Sequence, residues 1–216
     1  FIDHHDSSLE YSNIDYTYVN DKFCSSVILK KFLEDTFLVN LDHLNDLVKL
    51  VNDHDLWILK DSKSLHMSYL YYFYWNEKFI RRFGQGFISL SDEEMVYIKS
   101  TEHSFREYFK AMEIFDLTKI NGCIAFGDKF INETCHKLLK EENYKIVFYR
   151  NLKNNSVSIR SSIEGFNLGS YLSEVGYGGG HREAGGLQEK DPLKLQEKLK
   201  KIEQYIYENF KDTRKI

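Results

Sequence analysis

Cysteine is scarce in this sequence and shows no sign of pairing. The three cysteines, Cys24, Cys123 and Cys135, are odd in number and form no CxxC pair. Disulfide frameworks use an even set of cysteines, and zinc ribbons use CxxC pairs. Neither is indicated here, and a reducing, cytoplasmic environment is the expectation.

An excess of positive charge is also missing. The 216 residues carry 29 Lys and Arg against 33 Asp and Glu, which gives a formal net charge of -4. Long nucleic acids are held largely by basic surfaces that release counterions. A long duplex is therefore not an expected partner, and an anionic substrate must be met by local groups or metals.

Long apolar runs are absent too. No run approaches the roughly 20 residues that a membrane-spanning helix needs, and no charged-then-apolar leader opens the chain. We expect a soluble, unsecreted protein without a membrane partner. Phe1 and Ile2 stand directly before a cluster of acid and imidazole, as at the end of a strand. We therefore expect the chain to lack its natural N-terminus.

Helical periodicity dominates the first half of the chain. Apolar spacing predicts an amphipathic helix over about residues 21–35, capped by Asp21, and a second helix from Leu41 to Val51. The polar residues 52–55 would lie at the exit of this second helix or in the loop after it. Residues 62–115 are predicted to be mostly helical, and Ser91-Asp92-Glu93-Glu94 resembles a helix N-terminus.

Strand signals dominate the second half. Short β-branched and aromatic runs predict strands at residues 120–126, 145–149 and 156–160. A helix over about residues 132–142 separates the first two strands, and Pro192 opens a final helix. A glycine-dense segment before that helix is interpreted as a flexible loop. With 42% hydrophobic residues the chain can bury a real core, and we predict an α/β fold in two domains.

The first chemical constellation is Asp3, His4 and His5, which directly follow an apolar strand end. A parallel strand would deliver these side chains to the edge of a sheet where α/β proteins bind ligands. Neighbours on extended backbone point to opposite faces. One imidazole would therefore bind a metal while the other meets a phosphate oxygen or leaving group, and Asp3 would orient its partner. An exposed polar loop is the alternative for a bare His-His pair.

The second constellation combines glycines, a histidine and an arginine. Gly178, Gly179, Gly180 and His181 offer backbone N–H groups that can approach an anion closely, with an imidazole at their edge. Arg160, on the predicted strand ahead of them, can hold a phosphate with two parallel hydrogen bonds. The alternatives are an ordinary glycine loop and a solvated arginine.

Several motifs resemble one known family. IDHHDS at residues 2–7 resembles the signature of the DHH phosphoesterases, which include RecJ-type exonucleases, nano-RNA hydrolases, cyclic dinucleotide phosphodiesterases and family II pyrophosphatases. GGGHREAGG at 178–186 resembles the GGGH motif of the associated C-terminal domain. NSVSIRSS at 155–162 resembles its Ser-x-Arg-Ser strand, and FINETCHKLL at 130–139 resembles an element of the oligoribonuclease-like branch. The resemblance spans nearly the whole chain.

The resemblance implies metal and catalytic roles near the start of the chain. His4 would be a metal ligand and His5 would contact phosphate, with Asp3 supporting both metal binding and catalysis. LVNDHDLWIL at 50–59 looks like the place of a further ligand. Asp55 matches that ligand better than Asp53.

It also implies a substrate-binding domain. His181 would reach the substrate phosphate across an interdomain cleft, Arg160 would hold a phosphate or the 3′ end, and Arg182 is a further candidate. The implied domains are the C-terminal part of a DHH domain with a remnant of its parallel sheet (1–84), a helical connector (85–118) and a smaller mixed-sheet α/β domain (119–216).

The expected function is metal-dependent hydrolysis of short oligoribonucleotides, or of related small phosphodiesters or 3′-phosphoadenosine phosphate, to mononucleotides. Two Mn²⁺ ions, or Mg²⁺, are expected in the full-length protein. The resembled family draws further ligands from motifs ahead of the triplet, so this fragment is expected to be inactive alone. The alternatives are a polyphosphatase or pyrophosphatase and a non-catalytic nucleotide-binding module. A homodimer stays an open alternative.

Overall fold

A computed structural model describes residues 1–4 and 6–210, apart from the side chains of residues 6 and 7. The chain divides into two units, Phe1–Ser104 and Phe105–Ile216. Each unit has its own hydrophobic core, and each is described by itself.

The first unit is mainly helical. It opens with two short parallel strands, β1 (Ile2–Asp3) beside β2 (Tyr18–Val19), and contains 3-10 helices at Asp6–Tyr11 and Asp42–Leu44. Its α-helices are α1 (Ser25–Phe37), α2 (Asn45–Asp55), α3 (Ser62–Phe83) and α4 (Asp92–Lys110). The helical prediction for residues 62–115 is thus largely confirmed, and residues 52–55 form the last turn of α2.

Apolar faces of three helices build the core of the first unit. The buried residues come from α2 (Leu50), α3 (Met67, Tyr69, Leu70 and Phe83) and α4 (Ile98). Met67 and Leu70 are three positions apart, as on one face of a helix. Phe83 lies beyond a kink in α3 at Trp75, where the backbone is not helical (φ 56°, ψ 175°).

The start of α1 differs from the prediction. The residue before the helix is Cys24, without a side-chain cap, and Asp21 lies in a turn further upstream. The backbone N–H of Cys24 donates to Oδ1 of Asn52 at 2.9 Å. The chain is thereby tied to α2 and becomes helical only from Ser25. The expected cap at Asp21 is therefore wrong.

The second unit is built on a six-stranded mixed sheet with the order β3-β4-β5-β6-β8-β7. Only β4 and β5 pair in parallel, and α5 (Ile131–Lys140) connects them. The strands are β3 (Glu113–Leu117), β4 (Gly122–Gly127), β5 (Ile146–Asn151), β6 (Ser156–Ser161), β7 (Gly178–Gly180) and β8 (Ala184–Gln188). The remaining helices are α6 (Leu168–Glu174) and α7 (Pro192–Asn209).

Strand alternation gives this sheet two buried faces. Val147 and Tyr149 of β5 pack with α5 residues such as Leu138. Ile146 and Phe148, one position out of phase, belong to the core that includes α6 and α7, through residues such as Leu168 and Leu172 of α6 and Leu195 and Ile202 of α7. Neighbouring side chains of a strand point to opposite faces, so helices cover both faces of the sheet.

The glycine-dense segment is ordered sheet, not a flexible loop. β7 and β8 form an antiparallel pair, and β8 also pairs with β6. A Cβ on Gly178 would lie 2.0 Å from the carbonyl oxygen of Gly186, and one on Gly180 would lie 2.2 Å from that of Ala184. Glycine is required because the strand backbones approach too closely for a side chain. The interpretation of a loop is therefore wrong.

The fold class is confirmed: the chain is an α/β protein with a parallel strand pair near its start and a mixed sheet in its C-terminal half. Over residues 1–4 and 6–210, no helix combines the length and the apolar character needed to cross a bilayer.

Candidate functional site

The first candidate cluster lies where β1 ends. His4 follows this strand directly, and its Nε2 lies 3.3 Å from Oδ2 of Asp55, in the last turn of α2. The His4 side chain is 15% exposed and the Asp55 side chain 45% exposed. The end of a strand and the end of a helix thus bring a nitrogen donor and an oxygen donor together, 51 positions apart in the chain.

The ring of His4 is oriented by a serine. Its Nδ1 lies 3.0 Å from Oγ of Ser25, the first residue of α1. The hydrogen bond between Cys24 and Asn52 fixes this end of α1 against α2. A hydrogen bond to one ring nitrogen sets the tautomer and the direction of the other. Ser25 therefore helps to aim Nε2 toward Asp55.

Asp3 is tied into the turn after the strand. Its Oδ1 accepts from the backbone N–H of His4 at 2.8 Å, and its Oδ2 accepts from Oγ of Ser8 at 2.6 Å. These bonds tie the Asp3 carboxylate to the backbone of the turn that carries His4, and its role in metal binding and catalysis stays a prediction. His5, the expected phosphate contact, lies outside the described residues.

Asp53 and Asp55 have different surroundings. The Asp53 carboxylate accepts from the backbone N–H groups of Lys60 and Asp61, both at 3.1 Å. Burial alone would raise the pKa of Asp53, but hydrogen bonds from Ser64 and these N–H groups lower it. Asp53 holds the loop after α2, whereas Asp55 extends toward His4.

His54, between these two aspartates, belongs to the same loop. Its ring meets Trp57 edge-on, with centroids 5.1 Å apart, and burial lowers its pKa. A neutral imidazole packed on indole fits a structural role.

The pair of His4 and Asp55 fits two donors of one metal ion. Donors that share an ion through bonds of about 2.1 Å lie roughly 3.0–3.5 Å apart, which matches their 3.3 Å separation. Carboxylate suits both Mn²⁺ and Mg²⁺, and imidazole is a common ligand of metal ions in proteins. In the part of the chain that the structure describes, no group of three or more His, Cys, Asp or Glu side chains forms a metal site.

The second candidate cluster lies in the sheet of the second unit. Arg160 pairs across β6 and β8 with Ala184, and the backbone of Ala184 bonds to that of His181. The carbonyls of His181 and Arg182 accept from the backbone N–H groups of Gly169 and Leu168, both at 2.9 Å. The fold therefore brings Arg160, the three glycines of β7, His181 and Arg182 to one region.

Family comparison decides what this unit is. Residues 126–208 match the family model described as the DHHA1 domain. The C-terminal region of this chain is a DHHA1 domain. The matched residues include GGGHREAGG at 178–186, so the resemblance of this region to the C-terminal domain associated with DHH phosphoesterases is confirmed.

Three solved structures align with this chain over most of its length. An exopolyphosphatase-related protein from Bacteroides fragilis aligns with a TM-score of 0.52 at 14% identity, over 97% of this chain and 64% of its own. The pGpG-specific phosphodiesterase PggH from Vibrio cholerae aligns with 0.47 at 14% identity, over 94% and 79%. An uncharacterized protein from Helicobacter pylori G27 aligns with 0.31 at 16% identity, over 96% and 73%. No curated protein matches the sequence.

One polar contact in the DHHA1 domain was not predicted. Nη2 of Arg160 donates to Oδ1 of Asn132 at 2.9 Å, and Nη1 donates to the carbonyl oxygen of Ile159 at 3.0 Å. Asn132 stands in FINETCHKLL, which the sequence marks only as a family element. Ser25, which contacts His4, had no signal of its own in the sequence.

Proposed function

We propose that this chain belongs to a metal-dependent phosphodiesterase that hydrolyses short oligoribonucleotides, or related small phosphodiesters, to mononucleotides. The observation that carries the proposal is the pairing of His4 Nε2 with Asp55 Oδ2 at 3.3 Å. Histidines that bind metals usually make a hydrogen bond through their other ring nitrogen. Ser25 Oγ makes such a contact with Nδ1 of His4 at 3.0 Å, which supports the proposal.

The first unit would hold the ions. His4 and Asp55 would be ligands, with Asp3 fixing the turn that presents His4 and His5 contacting a phosphate oxygen. Two Mn²⁺ ions are the proposed cofactors, with Mg²⁺ as a substitute. Bound divalent ions would supply an activated water and polarise the phosphoryl oxygens. Among the described residues, the two donors His4 and Asp55 are too few for this shell, so we propose that residues 1–216 alone hydrolyse nothing.

The DHHA1 domain would hold the substrate. Arg160 would bind a phosphate oxygen pair through its remaining donors, with Arg182 as a further cation. His181 would donate to the phosphate, and the backbone of Gly178, Gly179 and Gly180 would leave room for close approach. The net charge of -4 supports a small substrate, since it offers no broad basic surface for a long duplex.

The test is Mn²⁺-stimulated cleavage by the full-length natural protein. Substrates are diribonucleotides to pentaribonucleotides, cyclic dinucleotides, inorganic pyrophosphate and polyphosphate, with products separated by chromatography. His4→Ala and Asp55→Asn should each lower the rate by about 100-fold or more, because each removes a ligand. Asp46→Asn, an exposed change on the same helix as Asp55, is the control and should retain full activity.

The outcomes separate the alternatives. Cleavage of pyrophosphate or polyphosphate in preference to short RNA would replace the proposed substrate. Binding of nucleotides without Mn²⁺-stimulated cleavage would indicate a non-catalytic module. Full activity of both His4→Ala and Asp55→Asn would refute the metal site.

A further inference from the structure

The guanidinium of Arg160 is held by neutral acceptors. Its two terminal nitrogens donate to different partners, one to the side-chain oxygen of Asn132 and the other to the backbone oxygen of Ile159, at 2.9 and 3.0 Å. A guanidinium has five N–H donors in a fixed plane. Two contacts are enough to fix the plane, and three donors remain for another group.

Within the described residues, the positive charge of Arg160 is not compensated by an acid. Among the residues that the structure describes, no carboxylate lies at ion-pair distance from it. A carboxylate is nevertheless close in sequence to its partner, because Glu133 follows Asn132 in the first turn of α5. Burial raises the pKa of Glu133, and no hydrogen bond joins it to Arg160. Arg160 therefore contacts the amide of Asn132 and not the carboxylate of Glu133.

The backbone that carries Asn132 is firmly anchored. Phe130, which precedes α5 in a left-handed conformation (φ 56°), packs on the rings of Phe105 and Tyr108 at 5.5 and 5.6 Å. The Tyr108 hydroxyl accepts from the backbone N–H of Asp128 at 2.7 Å, and the hydroxyl of buried Tyr149 donates to the carbonyl of Lys129 at 2.6 Å. The segment before Asn132 is therefore fixed to the core, so an exposed side chain can still impose a direction.

We infer that Asn132 is a positioning residue that orients the Arg160 guanidinium for an anionic group of the substrate and, as a neutral amide, leaves its charge available. The inference rests on the proposed function for the ligand, a 5′-phosphorylated short ribonucleotide. Aspartate in place of Asn132 would keep the size and the acceptor but would form an ion pair. That ion pair would compete directly with a phosphate.

The binding test uses the whole chain and the diribonucleotide pApA with a metal chelator present, followed by calorimetry. Asn132→Asp should raise the Kd for pApA by about 10-fold, and Asn132→Ala by roughly 3-fold, because a lost orienting bond costs less than a neutralised charge. Asn209→Asp adds the same charge at the end of α7, which packs on the other face of the sheet, and should leave the Kd unchanged. The melting temperature of Asn132→Asp should equal or exceed that of the wild type. A purely structural role for Asn132 would not produce this combination.

A second readout is independent of any ligand. Side-chain ¹⁵N NMR, with the Arg160 signal assigned by its loss in Arg160→Ala, reports the rotation of the guanidinium. Rotation should be slow in the wild type and in Asn132→Asp, and faster in Asn132→Ala. Equal rotation in the wild type and Asn132→Ala overturns the positioning role.

Two binding results also test the roles of Asn132 and Arg160. Wild-type affinity in Asn132→Asp, with weakened affinity in Arg160→Ala, overturns the role of the neutral amide. Wild-type affinity in Arg160→Ala instead refutes the proposed use of Arg160 in substrate binding. The NMR measurement still tests whether Asn132 orients Arg160, because it needs no ligand.

Discussion

Two arginines, one in each unit, are held in opposite ways. Arg82 of α3 faces Glu94 of α4, with Nε 2.9 Å from Oε1 and Nη2 3.1 Å from Oε2. Arg160 of β6 faces an amide and a backbone carbonyl. Both guanidinium groups are fixed in place, but only that of Arg82 is neutralised by a carboxylate.

The difference indicates what each arginine is for. The Glu94 side chain is fully buried and also accepts hydrogen bonds from Tyr74 and from the backbone N–H of Ser91. Arg82 also donates to the carbonyl of Ser89 at 2.7 Å. The charges of Arg82 and Glu94 neutralise each other, and most N–H donors of Arg82 have partners inside the protein. Arg82 therefore stabilises the fold. Arg160, fixed but not neutralised, has capacity left for a ligand.

The largest expected effect is the loss of Arg82. Arg82→Ala leaves the buried Glu94 without its cation, and removal of one partner from such a pair is strongly destabilising. Because the Arg82 side chain is 32% exposed, we expect a loss of roughly 2–3 kcal/mol in the free energy of unfolding. Urea unfolding measures it, with the exposed neighbour Arg81→Ala as control. A loss no greater than that of Arg81→Ala would contradict the structural role of Arg82.

The Arg82 network was partly visible in the sequence. The order Ser91 to Glu94 predicts a helix start, and the structure confirms it, since Glu94 N–H donates to Ser91 Oγ at 3.2 Å and Ser91 N–H donates to Glu94 Oε2 at 2.6 Å. Such caps depend on residues close together in the chain. The bond from Arg82 depends on how α3 packs against α4, which the local sequence does not encode.

The candidate site also depends on long-range contacts that the local sequence does not encode. The sequence predicts His4, Asp55, Arg160 and the glycines as site residues because they stand in motifs of recognisable chemistry. Asn132 lies 28 positions from Arg160, and their contact depends on the placement of α5 over β6. Glycine is a poor strand former, so the local sequence predicts a loop at residues 178–186. The strands form there because β8 pairs with β6 and β7 pairs with β8, and the contact with β6 is long-range.

Glu94 of the first unit and Glu133 of the second should respond oppositely to pH. Burial alone would raise the pKa of Glu94, but hydrogen bonds from Arg82, Ser91 and Tyr74 lower it below its ordinary value of 4.5. The stability that Glu94 contributes is therefore complete above pH 4.5 and is lost as the pH falls through the lowered folded-state pKa. Burial raises the pKa of Glu133 above 4.5, so its charge penalises the fold above that raised value.

Two glutamine variants test this contrast through melting temperature against pH. Glu94→Gln should lower the melting temperature at pH 7, and its difference from the wild type should shrink as the pH falls below 4.5. Glu133→Gln should raise the melting temperature at pH 7, and this gain should also disappear on acidification. A lower melting temperature for Glu133→Gln at pH 7 would show that its charge is satisfied in the fold.

The smallest expected effect on stability is that of Arg160→Ala. This variant breaks two hydrogen bonds to neutral, partly exposed acceptors and strands no buried charge, so the free energy of unfolding should fall by only about 0.5–1 kcal/mol. Alanine substitution at Arg160 should therefore lower the free energy of unfolding in urea several times less than alanine substitution at Arg82. Arg160→Ala should nevertheless weaken pApA binding by at least about 10-fold. Arg160→Lys should restore stability but only part of the binding, because an ammonium cannot match a planar pair of phosphate oxygens. A stability loss as large as that of Arg82→Ala would place Arg160 among the structural arginines and contradict its proposed role in binding an anion.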